Sequence, residues 1–368
     1  MSAPLSGLTV IDFSQFLAGP YASLRLLDMG ARVIKVENPD GGDLCRRHYV
    51  SDTRIKGAST LFHAINRGKE SIALDLKAPQ GLDAARRLIA QADIVIQNFR
   101  PGVIQRLGLA YEDLRPLKPD LIYGSISGYG ESGAWSCEPG QDLLAQARSG
   151  LMWLSGNADD GPVPVGLPIA DISAGACLAQ GLLAALFHHA RTGKGTHVRT
   201  SLLEALMDMQ FEFLSTWLSN GEAPPARRSE GSAHGYLGAP YGVYACATGH
   251  LALAMTPLDR LGPLLDLPDL AGDPFKDREA LCQRITRRLR DKPAEAWEAE
   301  LGAQGVWCAR VLTWDELRAK GGDPVSRMLP PSLPLRMGGS VGSSARVGPG
   351  LDEHGSALRA EFGLSPKR

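Results

Sequence analysis

The 368-residue chain lacks the features that would indicate a disulfide framework, a clustered metal site, a membrane span or a nucleic-acid surface. Its six cysteines are scattered and form no C-x-x-C pair, so we expect reduced thiols in a cytosolic protein. No run of about 18 apolar residues occurs, and residues 1–8 have neither the basic nor the apolar region of a signal peptide. The formal net charge of -1 gives no reason to expect nucleic acid or an anionic membrane as a partner. These absences predict a cytoplasmic protein whose basic sites are local.

Short apolar runs alternate with helical patterns over the first two hundred residues. Strands are predicted at residues 8–13, 31–37, 71–76, 94–99 and 121–125. An amphipathic helix begins at Ala78-Pro79, and a helix that is apolar over most of its circumference is predicted over residues 174–191. Strands alternating with helices favour a parallel sheet covered by helices on both faces. The predicted fold class is therefore α/β, with a large doubly wound, Rossmann-like domain.

The composition changes after Met207. Residues 220–240 are rich in glycine and proline, as loops and hinges are, and residues 241–300 resemble a small α+β unit. We therefore predict four segments. They are a large α/β domain over residues 1–200, a linker with a glycine-rich loop over 201–240, a smaller α+β domain over 241–305, and a return to the large domain over 306–368.

Asp171 stands between an extended, proline-containing segment and the long apolar helix. A carboxylate there lies close to the positive end of the helix, where backbone N–H groups point towards whatever binds it. The small residues Ser173, Ala174 and Gly175 leave space for a ligand beside it. A plain N-cap aspartate would occupy the same position, so local sequence alone leaves both interpretations open.

The turn after the first predicted strand argues against a dinucleotide-dependent dehydrogenase. Its sequence is Gln15-Phe-Leu-Ala-Gly-Pro20, which lacks the G-x-G-x-x-G pattern. Without those glycines the backbone cannot form the usual pyrophosphate-binding turn.

Seven segments, spread over nearly the whole chain at consistent spacing, carry a resemblance to one family. They are residues 4–14 with Ala18-Gly-Pro20, residues 26–37, Gly42-Asp43 through Arg46, residues 66–77, residues 97–102, residues 140–150, and residues 351–354 with 358–365. In these segments the chain resembles the class III coenzyme A transferases, the family of formyl-CoA transferase and carnitine CoA-transferase, which also includes α-methylacyl-CoA racemase.

The resemblance implies that Asp171 is a nucleophile that forms an aspartyl anhydride and then an aspartyl-CoA thioester. It implies acyl-CoA and a small carboxylic acid as substrates, no permanently bound cofactor or metal, and an intertwined homodimer. The coenzyme A contacts that it implies are Ala18, Arg46, Leu74, Lys77, Asn98, Phe99 and Arg106. Further candidates for catalytic or substrate-binding roles are Gln15, Gln141, Asp142, His234 and Gly235.

Two other functions remain open within this resemblance. A racemase needs two opposed bases, but the position that holds a histidine in the racemases is Gln141 here, and an amide cannot serve as a base. A coenzyme A-binding protein without catalysis would have no reason to retain Asp171.

Three further segments bear on the substrate. Residues 231–240 are glycine-rich and suit either a lid that donates N–H groups or a flexible connection. Arg227-Arg228 would favour a dicarboxylate if they face the pocket. Residues 321–344 are expected to border the acyl pocket.

Overall fold

The computed structural model describes residues 3–47, 53–320 and 347–365 of the chain. The strands in these residues are β1 (Thr9–Asp12), β2 (Arg32–Glu37), β3 (Arg54–Ile55), β4 (Ala58–Ser59), β5 (Glu70–Ala73), β6 (Ile94–Gln97), β7 (Ile122–Ser127), β8 (Thr196–Ser201), β9 (Gly242–Ala245), β10 (His250–Leu253) and β11 (Cys308–Arg310). The helices are α1 (Ala18–Asp28), α2 (Thr60–Asn66), α3 (Pro79–Ala90), α4 (Val103–Arg106), α5 (Tyr111–Leu114), α6 (Asp142–Arg148), α7 (Ile169–Thr192), α8 (Leu202–Met209), α9 (Phe211–Ser219), α10 (Leu258–Leu264), α11 (Arg278–Leu289), α12 (Ala294–Ala303), α13 (Trp314–Ala319) and α14 (Gly355–Glu361).

The chain divides into two compact units. The first unit takes in the described residues within 1–145, 167–209 and 326–368, and the second those within 146–166 and 210–325. The segment 321–344, which was expected to border the acyl pocket, lies outside the described residues.

The first unit is built on a six-stranded parallel sheet in the order β5-β2-β1-β6-β7-β8. From β1 the chain continues to β2 and β5 on one side of the sheet, and then to β6, β7 and β8 on the other side. The direction in which strands are added therefore reverses between β1 and β6. The carboxyl ends of the strands at such a reversal are where open α/β sheets bind ligands. This topology confirms the predicted doubly wound domain.

The apolar strand sequences follow from burial on both faces. Val10, Ile11, Val33, Ile34 and Val95 are almost completely buried, as expected in a parallel sheet that helices cover on either side. Strand β8 was not predicted. It lies at the edge of the sheet, and its mixed sequence Thr-His-Val-Arg-Thr-Ser has no continuous apolar run.

The 24-residue helix α7 packs against α1, α8, β7 and β8. It begins at Ile169 rather than at the predicted residue 174, so Asp171 lies in its first turn and not before it. By length and composition α7 is the one described helix that could cross a membrane, a test that the core helices of soluble proteins also pass. Its contacts with the sheet are those of a core helix.

The second unit contains the three-stranded antiparallel sheet β11-β10-β9. Its core includes Tyr244, Leu251, Ile285 and Trp297 from the sheet and from helices α11 and α12. This unit has the α+β character predicted for the smaller domain.

The unit boundaries differ from the predicted division. Residues 201–240 hold helices α8 and α9, and those from 210 onward belong to the second unit, together with residues 146–166. Residues 306–320 do not return to the large domain, because β11 forms the third strand of the small sheet by pairing with β10. The return is made by residues 347–365, where His354 N–H donates to the Ser71 carbonyl.

Candidate active site

The turns after β1 and β6 meet at the reversal of the parallel sheet. Gln15 N–H donates to Asn98 Oδ1 at 2.8 Å, and Asn98 Nδ2 donates to the Gln15 carbonyl at 2.8 Å. The Asn98 side chain therefore holds the backbone of residues 14–18, which we call the β1–α1 turn. Within the first unit, Asn98 positions this turn in addition to its predicted contact with coenzyme A.

Buried ion pairs support the β1–α1 turn. Lys35 Nζ lies 2.9 Å from Asp43 and donates to the Ser14 carbonyl at 2.7 Å, and Lys69 Nζ lies 3.0 Å from Asp12. These charged side chains have almost no solvent exposure. Burial alone would raise the pKa of Asp12, but the Lys69 and Lys35 ammonium groups hold it well below its usual range.

Phe16 has an unusual backbone conformation in this turn. Its φ is 62°, in the left-handed region that bulky side chains rarely adopt, and its side chain is 46% exposed. The Phe16 N–H donates to Asp43 Oδ1 at 3.1 Å. Asp43 thus links the strained residue to Lys35, and the buried charges maintain a turn that the isolated peptide would not favour.

Helices α1 and α7 are in close backbone contact next to Asp171. A Cβ at Gly175 would lie 2.5 Å from the Ala18 carbonyl oxygen, so only glycine fits there without displacing a helix. Gly175 is four residues after Asp171 and lies on the same face of α7. Leu17 and Ile172 also share an apolar cluster. The structure therefore brings Ala18 and the β1–α1 turn beside the first turn of α7.

The first turn of α7 is capped by a residue from elsewhere in the chain. Asp142, the first residue of α6, accepts hydrogen bonds at its Oδ1 from Ala170 N–H at 2.7 Å and Asp171 N–H at 3.2 Å. Asp171 is consequently not the capping residue, and the plain N-cap interpretation is wrong. Burial, and then the negative charge of Asp142, raise the pKa of Asp171 to about 7. Gln141 is exposed immediately before Asp142.

The other predicted contacts in the first unit follow the carboxyl ends of β5 and β6. Lys77 and Arg106 are exposed, Phe99 is half-buried, and Leu74 is buried in the core. Exposed cations at this edge suit phosphate groups. Lys77, Arg106, Phe99 and Leu74 stay predicted contacts of coenzyme A.

Arg46 has partners within the protein. Its guanidinium makes two hydrogen bonds of 2.7 Å to the carboxylate of Glu37, donates to the Pro349 carbonyl at 3.0 Å and lies 3.8 Å from the centre of the Phe62 ring. A phosphate at Arg46 would compete with Glu37.

In the second unit, the glycine-rich stretch is bound to α11. Arg278 donates to the carbonyls of Gly235 at 3.2 Å and Leu237 at 3.0 Å. The His234 ring stacks on Phe213 at 4.2 Å, and its Nδ1 accepts the Tyr236 N–H at 3.1 Å. This bond leaves Nε2 as the donor, and Glu212 Oε1 lies 3.7 Å from it, just beyond hydrogen-bond distance.

The arginine pair before that stretch is also bound within the second unit. Arg227 donates to the carbonyls of Ser155 and Gly161, each at 2.6 Å, and the buried Arg228 lies 5.0 Å from the centre of the Tyr244 ring. Both cations thus have roles in the fold, which weakens the case for Arg227-Arg228 as a dicarboxylate site.

A cavity of about 410 Å³ lies on the sheet face opposite α7. Ser125 Oγ and His197 Nε2 are 2.8 Å apart in its wall, and Gln97 Nε2 donates to Ser125 Oγ at 3.1 Å. Asp171 does not line it. The sequence did not predict this cavity.

Among residues 3–47, 53–320 and 347–365, no group of three or more histidine, cysteine or acidic side chains is arranged to hold a metal ion.

The chain is similar to proteins of one family over nearly its full length. The profile of CoA-transferase family III matches residues 5–328. The chain is 34% identical to the acetyl-CoA:oxalate CoA-transferase of Acetobacter aceti, covering 98% of this chain and 96% of that protein. It is 41% identical to the succinate–glutarate CoA-transferase of Agrobacterium fabrum over 68% of this chain and 63% of that protein. The crystal structure of a CAIB/BAIF family protein from Brucella suis superposes with a TM-score of 0.84 at 32% identity, covering 98% of this chain and 100% of that one.

Proposed function

Since the chain belongs to CoA-transferase family III and is an enzyme of the CoA-transferase type, we propose that it moves coenzyme A from an acyl-CoA thioester to a small carboxylic acid, with Asp171 as the nucleophile. The observation that carries the proposal is the setting of Asp171. It lies in the first turn of α7, beside the β1–α1 turn, with its pKa raised to about 7. Such a carboxylate is about half ionised at neutral pH and more basic than an ordinary aspartate.

The proposed reaction divides the exchange into steps that conserve the thioester. A carboxylate oxygen of Asp171 attacks the thioester carbonyl carbon, and coenzyme A leaves as the thiolate, giving a mixed anhydride. The thiolate then attacks the aspartyl carbonyl carbon and releases the donor acid as a carboxylate, which leaves an aspartyl-CoA thioester. The acceptor carboxylate repeats both steps in reverse and regenerates Asp171. No net proton is taken up or released.

Coenzyme A would lie along the carboxyl edge of the parallel sheet. Ala18, Leu74, Lys77, Asn98, Phe99 and Arg106 all follow the ends of β1, β5 and β6, and this common placement supports them as its contacts. The relatives are named for acetyl-CoA, oxalate, succinate and glutarate. We therefore propose short-chain acids, dicarboxylates first, as the substrates to test.

A homodimer is part of the same proposal. Leu167, two residues before α7, and Phe187, near the end of that helix, are 58% and 66% exposed. A second copy of the chain would cover such apolar surface. Sedimentation velocity of the purified protein would test this.

The experiment that tests the nucleophile is intact-protein mass spectrometry. The protein is mixed with acetyl-CoA, succinyl-CoA or glutaryl-CoA, then treated with hydroxylamine, and the labelled peptide is mapped. We expect a hydroxylamine-sensitive adduct at Asp171, which Asp171→Ala abolishes and which Asp208→Asn, an exposed control on α8, retains. Transferase turnover in purified Asp171→Ala protein would refute the mechanism. No adduct with any thioester, together with deuterium uptake at the α-carbon of a 2-methylacyl-CoA, would indicate the racemase instead.

A further inference from the structure

The start of α7 has every backbone donor satisfied, and Asp142 accounts for the central two. Ile169 N–H bonds to the Leu167 carbonyl and Ile172 N–H to the Pro168 carbonyl, whereas Ala170 and Asp171 N–H both bond to Asp142 Oδ1. Pro168, at the N-cap position, provides no side-chain cap. A residue 28 positions earlier in the chain therefore supplies the cap that the local sequence lacks.

We propose that Asp142 is a positioning residue whose carboxylate fixes the first turn of α7 and whose negative charge keeps Asp171 a strong nucleophile. This inference rests on the proposed role of Asp171. Asp142 acts through helix α7 and needs no contact with the substrate. It thus refines the sequence-based expectation of a catalytic or substrate-binding role.

The capping geometry brings two negative charges close together. Asp142 Oδ1 is 3.2 Å from the backbone nitrogen of Asp171 itself, so the carboxylates belong to neighbouring residues in space. A nearby like charge disfavours ionisation, which adds to the effect of burial on the pKa of Asp171. The helix dipole stabilises the Asp142 anion at the same helix terminus.

Charged groups on the other elements that pack against α7 have different partners or positions. On α1, Arg25 lies 3.4 Å from Asp28, and on β8, Arg199 lies 2.8 Å from Glu131, while His197 bonds to Ser125. Glu204 and Asp208 on α8 are exposed. Asp142 is the charged side chain that influences the pKa of Asp171.

The two roles can be separated by substitution. Asp142→Asn keeps an oxygen that accepts both N–H groups but removes the charge, whereas Asp142→Ala removes both the cap and the charge. Asp142→Ser provides a second uncharged acceptor should the asparagine variant fold poorly. Asp208→Asn, which removes a charge from α8 without touching the start of α7, is the matched control.

The primary measurement is the titration of Asp171 by difference infrared spectroscopy, with Asp171→Asn identifying its protonated carbonyl band. In Asp142→Asn we expect the titration midpoint of Asp171 to fall by on the order of one pH unit, and the thermal midpoint to be unchanged at pH 5, where Asp171 stays largely protonated in the folded protein. The acid limb of single-turnover acylation should move by the same amount. Acylation above pH 8 should slow several-fold, because the carboxylate is less basic. Asp142→Ala should lower both the melting temperature and the rate at every pH.

An unchanged Asp171 titration in Asp142→Asn would overturn the proposal, as would an acylation rate that falls equally at all pH values. The infrared titration needs no catalytic activity. If the wild-type protein forms no adduct with any thioester, the proposed function fails, but the titration still decides whether Asp142 tunes Asp171.

Discussion

Asp171→Asn should make the protein more stable at alkaline pH, because the wild-type carboxylate must ionise in an unfavourable setting. Burial and the charge of Asp142 raise the pKa of Asp171 from 3.8 to about 7. Below about pH 4 the group is protonated in both the folded and the unfolded chain. Between about pH 4 and pH 7 the unfolded chain releases the proton and the folded protein keeps it. The stability contributed by this group therefore falls as pH rises to about 7, and is constant above that.

The size of the effect follows from the two pKa values. The difference between 3.8 and about 7 corresponds to roughly 4 kcal/mol of unfolding free energy. Because the Asp171 side chain is partly exposed, solvent screening reduces the expected gain to about 2–3 kcal/mol. Asparagine has nearly the same shape and cannot ionise, so Asp171→Asn should recover this amount above pH 7 and almost none at pH 4.

The assay is urea denaturation at pH 4.5, 6.5 and 8.5, followed by circular dichroism. Hydrogen–deuterium exchange of α7 peptides reports on the first unit separately. Asp83→Asn, which removes an exposed carboxylate on α3 that pairs with Arg87, is the matched control for the loss of a negative charge. A stability difference between Asp171→Asn and wild type that is the same at pH 4.5 and pH 8.5 would contradict this prediction, and so would a variant that is less stable than wild type at pH 8.5.

The remaining predictions concern the supports of the site and of the second unit. Gly175→Ala should destabilise the first unit by about 1–3 kcal/mol and slow acylation, because the added Cβ would clash with the Ala18 carbonyl oxygen. The control Gly302→Ala, where the space around the added Cβ is open, should be neutral or stabilising in the same urea titration. Lys69→Met should lower the unfolding free energy by about 3–5 kcal/mol, since it leaves Asp12 buried without its cation, and adding Asp12→Asn should restore part of the loss. Arg278→Gln should accelerate hydrogen–deuterium exchange over residues 226–238, whereas Arg287→Gln, an exposed control on the same helix, should not.

The fold of the first unit could be predicted because its strands are buried on both faces. Continuous apolar runs gave β1, β2, β5, β6 and β7 to within a few residues, and their alternation with helices gave the parallel sheet. The edge strand β8 has no such run. The unit boundaries depend on which distant segments pair, and the three residues of β11 are too few to show a pattern.

The candidate nucleophile was identified from the family motifs, but its environment was not. The bond between Asp142 and the start of α7 joins residues 28 and 29 positions apart, and nothing in the local sequence of either helix predicts it. The proline-containing segment before Asp171 led the sequence analysis to place the start of the helix too late. Pro168 can precede a helix whose first N–H groups are bonded by a distant carboxylate.

The buried ion pairs can be recognised in the sequence as charged residues inside apolar strands. Asp12 ends the first strand and Lys35 interrupts the second, at positions where apolar side chains would be expected. Replacing such pairs with apolar residues is frequently neutral for stability, so net stability alone does not explain them. Their contacts with the backbone explain why the charged residues are present. Lys35 donates to the Ser14 carbonyl, and its partner Asp43 accepts the N–H of Phe16, whose φ is 62°. An apolar side chain could fill the same volume but could not hold these two backbone groups, and the β1–α1 turn would relax away from α7.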